Sequence, residues 1–328
     1  VKVLIVGGGG YIGSHVVKML GESTDYELLI VDNFSNSDKE NILYGNVIKC
    51  DICGYNISEV IYDYKPKIVI HLAAYFSVEE SVKDPMKYYE NNVYGSINLI
   101  QYAKTYGVKH FIFSSSAAVY GSPDVDFVKE SYFFHPINPY GRTKLMIEDI
   151  LKDVALADPE FNYVALRYFN VAGADGKIGQ SYKKPSTHII SKALEAAMGK
   201  IPELTIYGTD YDTFDGSCVR DYIHVNDIAS AHLKSIEYLL RGNPSTVFNC
   251  GYSKGYSVFE IVNAVKKITG VDFKVTYSDR RVGDPAVLTA NSDKIKITGW
   301  EPKYDNLDLI IKSAYDWELE KERRKLNE

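Results

Sequence analysis

The sequence predicts an α/β protein: a doubly wound parallel sheet covered by helices on both faces, followed by a smaller mixed α/β unit. Three observations lead there. Apolar runs alternate with helical patterns through the first half of the chain. Those runs are continuous, as strands buried on both faces must be. After Asn170 the pattern changes, and a glycine- and lysine-containing loop, "VAGADGKIGQSYKKPS", gives way to shorter strand and helix pieces.

Taken in order, "VKVLIVG" is the first strand and "YIGSHVVKML" the helix after it, across a glycine-rich turn. "ELLIVD" and "NVIKCD" are the next two strands, followed by the helix "ISEVIYDY" and a fourth strand, "KIVIHLA". "HFIFSSS" and "YVALRYFN" are the fifth and sixth strands. This order places one domain at residues 1–172 and a second at 173–328. A helix is expected near "THIISKALEAAMGK", and residues 217–242 are a candidate to return to the main sheet. The chain carries no internal repeat and no low-complexity segment.

Composition excludes several classes of function. The net charge is −6 and no basic run interrupts the chain, which argues against nucleic acid and anionic membrane as partners. The mixed charges of "WELEKERRKLNE" read as a solvated helix end. No apolar run approaches the ~20 residues that span a bilayer, and "VKVLIVGG" reads as a strand rather than a signal peptide. Four cysteines make no disulfide scaffold, so a reducing cytoplasm is expected. "CDIC" closes an apolar strand, and Cys218 and Cys250 stand alone, so these read as structural thiols and no metal site is expected.

"LIVGGGGYIGSH" puts Gly7, Gly10 and Gly13 between a strand and a helix. Gly7 permits the tight turn, Gly10 lets backbone approach a pyrophosphate, and Gly13 lets the helix pack on the strand. The helix N-terminus then offers N–H groups and partial positive charge to phosphate. Asp32 ends the second strand, where a carboxylate can bond ribose hydroxyls and would repel a 2′-phosphate. The cofactor expected is NAD rather than NADP. This is the glycine fingerprint of a Rossmann fold.

"INPYGRTK" holds Tyr140 and Lys144 at i, i+4, on one helix face. An ordinary tyrosine, with a pKa of about 10, is a poor base at neutral pH. A nearby ammonium favours the phenolate, as would a cationic nicotinamide. With 27 tyrosines in the chain, that spacing alone carries little weight. Ser116 strengthens it, because it ends the fifth strand at the side where a parallel sheet meets its cofactor. Ser114 and Ser115 read as satisfied hydroxyls nearer the strand body, and His71, His110 and His224 as structural histidines in or beside apolar strands.

Together these residues carry a resemblance. "GGGGYIGSH", "VDNFSNS", "YYENNVYGS", "FSSSAAVYG", "NPYGRTKLMIE", "LRYFNVAGA", "IYGTDYDTFDGSCVRDYIHV" and "RRVGDP" make the chain similar, nearly end to end, to the extended short-chain dehydrogenases/reductases, and among them to the UDP-hexose 4-epimerases. The resemblance implies that Tyr11 and Ile12 sit on the pyrophosphate loop, and that Asp32, Asn33, Phe34, Ser35, Asn36 and Ser37 surround the adenosine ribose. It places Asp51 and Ile52 at adenine, and Leu72, Ala73, Ala74, Tyr75 and Phe76 along the cofactor, with Ser114, Asn92 and Phe169 beside it. It makes Tyr140 the base, Ser116 a proton relay and Lys144 the partner of Tyr140 on the nicotinamide ribose.

On the side of a UDP-sugar, the resemblance implies Asn170 at the sugar diphosphate and His188, Ile189, Thr205, Ile206 and Tyr207 along the nucleotide. Arg220 and Arg281 would clamp the diphosphate, where a guanidinium fork suits phosphate. Asp284 would take the uridine ribose. It also implies a homodimer through helices near 84–106 and 138–157. Two positions depart from the relatives' pattern. Phe76 stands where many carry lysine, which puts one cofactor phosphate contact in question. Leu288 stands where many carry tyrosine, beside the sugar's C2 substituent, so room for a 2-acetamido group is expected.

Rival readings remain at this level. A 4,6-dehydratase shares the fold and the Tyr–Lys pair but needs a further acid and base, and here Ala117 and Ala118 follow Ser116. A reductive GDP-sugar epimerase and a UDP-glucuronate decarboxylase are related alternatives. A non-catalytic NAD-binding sensor would have no use for Ser116, Tyr140 and Lys144 together.

Overall fold

The apolar runs of the first half fold as strands that are buried on both faces. A computed structural model of the chain describes residues 1–181, 187–281 and 283–327. The chain begins with β1 (Lys2–Val6), α1 (Tyr11–Ser23), β2 (Glu27–Asp32), β3 (Asn46–Lys49), α2 (Asn56–Tyr64) and β4 (Ile68–His71). Next come α3 (Val78–Lys83), α4 (Pro85–Tyr88), α5 (Gly95–Thr105), β5 (His110–Ser116), α6 (Pro139–Ala157) and β6 (Asn162–Tyr168). The C-terminal half continues with β7 (Asn170–Ala172), α7 (Ile189–Ala197), β8 (Leu204–Tyr207), β9 (Val219–His224), α8 (Val225–Leu240) and β10 (Thr246–Cys250). It ends with β11 (Gly255–Ser257), α9 (Val258–Thr269), β12 (Val275–Ser278), β13 (Val287–Leu288) and α10 (Leu307–Asn327).

Side chains alternate between faces along a strand, so both faces of β1 must find a core. Val3 and Ile5 join one cluster with Val16, Val17 and Leu20 of α1 and Ile228, Ile236 and Leu239 of α8. Leu4 and Val6 join the opposite cluster with α2, α5 and α6, through Ile57, Leu99, Ile147 and Leu151. Each fully buried side chain of this size contributes ~1.5–3 kcal/mol relative to exposure. That is why the periodicity of the run shows no polar face.

The seven-stranded sheet runs β10-β6-β5-β4-β1-β2-β3, with every pair parallel. The direction of winding reverses between β1 and β4. At such a switch point the loops leaving the two strands diverge and open a crevice at their C-terminal ends. β3 departs from the expected burial: it is the last strand of the sheet, and Ile48 is 38% exposed.

The chain returns to the large sheet in its second half. α8 packs beside α1, and β10 pairs with β6. β9 instead forms a small sheet with β7, β11 and β13, and β8 pairs with β12. A third apolar cluster gathers α7, α9 and α10 through residues such as Leu194, Ile261 and Ile310. Residues 182–186 of the lysine-containing loop, and Val282 of "RRVGDP", lie outside the described residues. No helix among the described residues is long and apolar enough to cross a membrane. All four cysteines are unpaired.

The packing of α1 on β1 depends on the absence of one methyl group. A Cβ on Gly13 would lie 2.2 Å from the Gly7 carbonyl oxygen. Gly13→Ala is expected to destabilise the protein by about 2 kcal/mol through overpacking. A lowered midpoint in urea unfolding checks this, and an unchanged midpoint contradicts it.

Candidate active site

A cleft of about 420 Å³ opens at the C-terminal ends of the central strands. Gly7 leaves β1 with φ 84°, a conformation that disfavours any side chain, and a Cβ there would lie 2.5 Å from the Ala73 nitrogen. The chain therefore passes directly over the end of β4. Gly10 precedes α1, and a Cβ on it would meet only the Gly7 oxygen, at 3.4 Å, so this turn is open toward the cleft. The first turn of α1 carries no acidic side chain and lines the cleft with Tyr11, Ile12 and Gly13, bringing the positive end of the helix dipole to it.

Asp32 sits at the end of β2 with its carboxylate on the cleft wall. It accepts hydrogen bonds from Gly9 N–H (2.9 Å), Phe34 N–H (2.8 Å) and the Ser37 hydroxyl (2.9 Å). A carboxylate has about four acceptor positions, so one remains for a ribose hydroxyl. The Phe34 bond holds that residue at φ 57°, which turns the following loop around the cleft. Open glycine backbone, a helix N-terminus and an acceptor at the end of β2 fit a dinucleotide.

The loop after β4 closes the other wall with Leu72, Ala73, Ala74, Tyr75 and Phe76. Asn92 fixes it. The chain widens into a broad helical turn at Tyr89–Tyr94, and buried Asn92 there exchanges hydrogen bonds with Tyr75: Tyr75 N–H donates to Oδ1 (2.8 Å) and Nδ2 donates to the Tyr75 carbonyl (2.9 Å). Asn92 thus supports the wall without lining it, whereas Asn91 lines it.

At the tip of β5 the three serines separate by function. The Ser114 carbonyl accepts the Lys144 ammonium at 2.7 Å. The Ser115 hydroxyl donates to Glu148. Ser116 accepts from Ala118 N–H (3.2 Å), which fixes its oxygen and leaves its hydroxyl hydrogen to turn toward Tyr140. Tyr140 and Lys144 come from the first two turns of α6, which Asn138 caps by accepting Gly141 N–H at 2.8 Å. The Lys144 ammonium lies over the rings of Phe113 (5.0 Å) and Tyr140 (5.8 Å).

On the opposite wall, β13 pairs with β9 so that Leu288 faces Arg220 in register, and both line the cleft. Arg220 donates to the Val219 and Ala286 carbonyls and lies 3.7 Å from Asp284. Leu288, 8% exposed, packs with Ala117, Val119 and Phe169. Asn170 and His188 also line this side. Several expected residues lie off the wall: Phe34, Asp51, Ile189, Thr205, Ile206, Tyr207 and Arg281. Asp51 accepts Asn33 Nδ2 and Cys53 N–H, Ile206 is buried in β8, and the Arg281 guanidinium lies on the Tyr207 ring at 4.1 Å. His71 is bonded to the Ser96 hydroxyl, and His224 accepts Asn226 N–H.

Sequence reasoning passed over Asn138, Tyr168 and Pro285, which also line the cleft. Asn138 had a signal, since asparagine before proline marks a helix start. The other two had none.

Burial dominates the ionisation of the pair. It pushes the Lys144 ammonium down to about 7, with the Glu148 carboxylate pulling the other way. It raises the Tyr140 phenol, which the Ser116 hydroxyl lowers. The protein's own groups therefore do not bring Tyr140 down as the Lys144 spacing alone suggested. An unfolded lysine titrates near 10.4, so between about pH 7 and pH 10 the unfolded chain binds more protons at this site, and stability rises with pH there. Lys144→Met is expected to remove that slope, by at most about 1.4 kcal/mol per pH unit. Urea midpoints compared across that range check it, and identical slopes in both proteins contradict it.

With this geometry in view, the relatives are informative. The profile of the NAD dependent epimerase/dehydratase family matches residues 3–251. The chain is 45% identical over 320 residues to the UDP-glucose 4-epimerase of Rhizobium meliloti (strain 1021), covering 96% of each chain. Its structure superposes on that of UDP-glucose 4-epimerase from Brucella ovis in complex with NAD with a TM-score of 0.92, at 42% identity and covering 96% of this chain and 97% of that one. It superposes on the UDP-Glc/GlcNAc 4-epimerase from Campylobacter jejuni with a TM-score of 0.86, at 47% identity and covering 97% and 99%. The chain belongs to the NAD dependent epimerase/dehydratase family, in its UDP-glucose 4-epimerase branch.

Proposed function

We propose that this chain interconverts UDP-glucose and UDP-galactose by oxidising and re-reducing sugar C4, and that it accepts the 2-acetamido sugars as well. The observation that carries this reading is the meeting of Ser116, Tyr140 and Lys144 in a cleft where, among the described lining residues, no carboxylate stands beside that cluster. The lining carboxylates are Asp32, bonded to the glycine loop, and Asp284, beside Arg220. Ala117 and Ala118 have no side-chain acid or base. Such a site can move one proton and one hydride but has no acid and base to eliminate water.

Bound NAD supplies the hydride acceptor that then serves as donor, and in its oxidised form the positive charge that favours a Tyr140 phenolate against burial. Residues Gly7 to Gly13, Asp32 to Ser37 and Leu72 to Phe76 hold it, with Asp51 and Ile52 toward adenine and Asn92 behind the wall. Tyr140, assisted by Ser116, takes the O4 proton as the C4–H bond breaks and the carbonyl forms. Lys144 holds Tyr140 and the nicotinamide ribose. Arg220, Asn170 and His188 line the wall where the diphosphate would lie, Arg281 and the β8 residues, off that wall, would meet the nucleotide only by turning toward it, and Asp284 would take the uridine ribose. The tethered 4-keto sugar turns its other face, C4 regains hydrogen there, and Tyr140 returns its proton to O4. Electrons balance, and the fixed nucleotide keeps the ketone at high effective concentration.

Leu288 bears on the range of sugars. It is a buried wall residue, shorter than tyrosine and without a hydroxyl, and the Campylobacter jejuni relative is named for both UDP-Glc and UDP-GlcNAc. We place residues 1–172 with α8 and β10 as the NAD-binding part, and the remainder as the sugar-nucleotide part. A homodimer through the helical segments 84–106 and 138–157 accounts for exposed Met86, Tyr94, Ile97, Met146 and Leu156 on those segments. Unpaired cysteines suit a reducing cytoplasm.

Incubation with UDP-glucose and UDP-N-acetylglucosamine separately, without added NAD, tests the reading by NMR of the products. Galacto-configured product is expected from both. No product from UDP-glucose contradicts the epimerase, and none from UDP-N-acetylglucosamine contradicts the breadth. Tyr140→Phe is expected to lower kcat by about a thousandfold while UDP-sugar still binds, and wild-type turnover would overturn its role. Leu288→Tyr is expected to keep UDP-glucose turnover and lose that of the acetamido sugar.

A further inference from the structure

Glu148 stands four residues beyond Lys144, on the same face of α6 as Tyr140 and Lys144. It is 5% exposed, and a carboxylate so buried is costly unless paired and fully bonded. Arg167 of β6, 2% exposed, pairs with it. Its Nε donates to Oε1 at 2.9 Å and Oε2 at 3.2 Å, and Nη2 donates to Oε2 at 2.5 Å. Nη1 donates to the Tyr120 hydroxyl (2.7 Å) and the Glu130 carbonyl (3.1 Å). Tyr120 in turn donates to Asn249 Oδ1 of β10 at 2.7 Å. The Ser115 hydroxyl donates to Glu148.

None of these groups handles a proton in the reaction above, yet they meet the helix and strand that carry it. Three consecutive β5 residues each engage one turn of α6: Ser116 meets Tyr140, the Ser114 carbonyl meets Lys144, and Ser115 meets Glu148. A slip of α6 along β5 would break all three at once. We propose that Glu148 and Arg167 are positioning residues. Their buried pair, tied to β5 through Ser115, sets the register of Tyr140 and Lys144 against Ser116 and keeps negative charge one turn from the Lys144 ammonium. This rests on the epimerase reading of the same cluster.

The titratable and charged groups around this seam are few. Tyr140 and Asp149 lie on α6, His71 on β4, Arg167 and Tyr163 on β6, and Tyr120 and Glu130 follow β5. The Glu148 carboxylate is the charge that favours the Lys144 ammonium against burial.

The test uses the NAD-loaded enzyme labelled with ¹³C-lysine, with Lys144 assigned from its loss in Lys144→Met. Its titration is followed by NMR without sugar, so the result does not depend on which sugar turns over. In Glu148→Gln, which keeps the shape and removes the charge, the Lys144 midpoint is expected to fall by about one pH unit. Its kcat is expected to fall about tenfold with KM for UDP-glucose nearly unchanged. A folded Glu148→Gln protein with the Lys144 midpoint or kcat of wild type overturns the proposal. Should that variant not fold, Ser115→Ala decides: it removes the tie and keeps the charge. A several-fold loss of kcat with the Lys144 midpoint unmoved supports the proposal, and wild-type kcat overturns it. Absence of any wild-type turnover would instead remove the epimerase reading and leave the Lys144 titration standing.

Discussion

Helix α6 is seated on β5 and β6 by charge buried between them. The Glu148 carboxylate and the Arg167 guanidinium share three hydrogen bonds, and both are buried. A buried pair of this kind is weak evidence of stability, because desolvation offsets much of the attraction. What it supplies is direction. Apolar contacts such as Ile147 and Leu151 against the sheet are non-directional, whereas a forked guanidinium–carboxylate contact fixes an orientation. The placement of Tyr140 and Lys144 at the tip of β5 follows from that seat.

The same economy of placement runs through the cleft. One end is made by backbone: Gly7, Gly10 and the first turn of α1 bring N–H groups and open space to the switch point of the sheet. The other is made by side chains from β5, α6 and the β9–β13 pair. The second half of the chain joins the first by a packed helix and a paired strand, α8 and β10. Tyr11 adds a hydrogen bond from α1 across to the Gly173 carbonyl at 2.6 Å. The two walls of the site are therefore parts of one continuous structure.

Much of this was legible in the sequence, for a physical reason. The sheet, the glycine turn, Asp32 and the Tyr140–Lys144 spacing are local patterns, set by strand period, helix period and turn geometry. What was hidden depends on contacts distant in sequence. The return of residues 246–250 as β10 shows no more than a short apolar run. Asn92 reads as a cofactor residue until its bonds to Tyr75 are seen. Arg167 within the apolar run "YVALRYFN" was a visible anomaly, but only the fold shows that Glu148 answers it. The burial that raises the Tyr140 phenol was likewise hidden, because it is a property of the folded cleft and not of the i, i+4 spacing.

The account holds that one hydrogen leaves C4 and the same hydrogen returns to C4 without meeting solvent. UDP-glucose carrying deuterium at C4, turned over in ordinary water without added NAD, tests this most directly. The account predicts UDP-galactose with deuterium retained at C4. Deuterium lost to water, or found at C6, would contradict it.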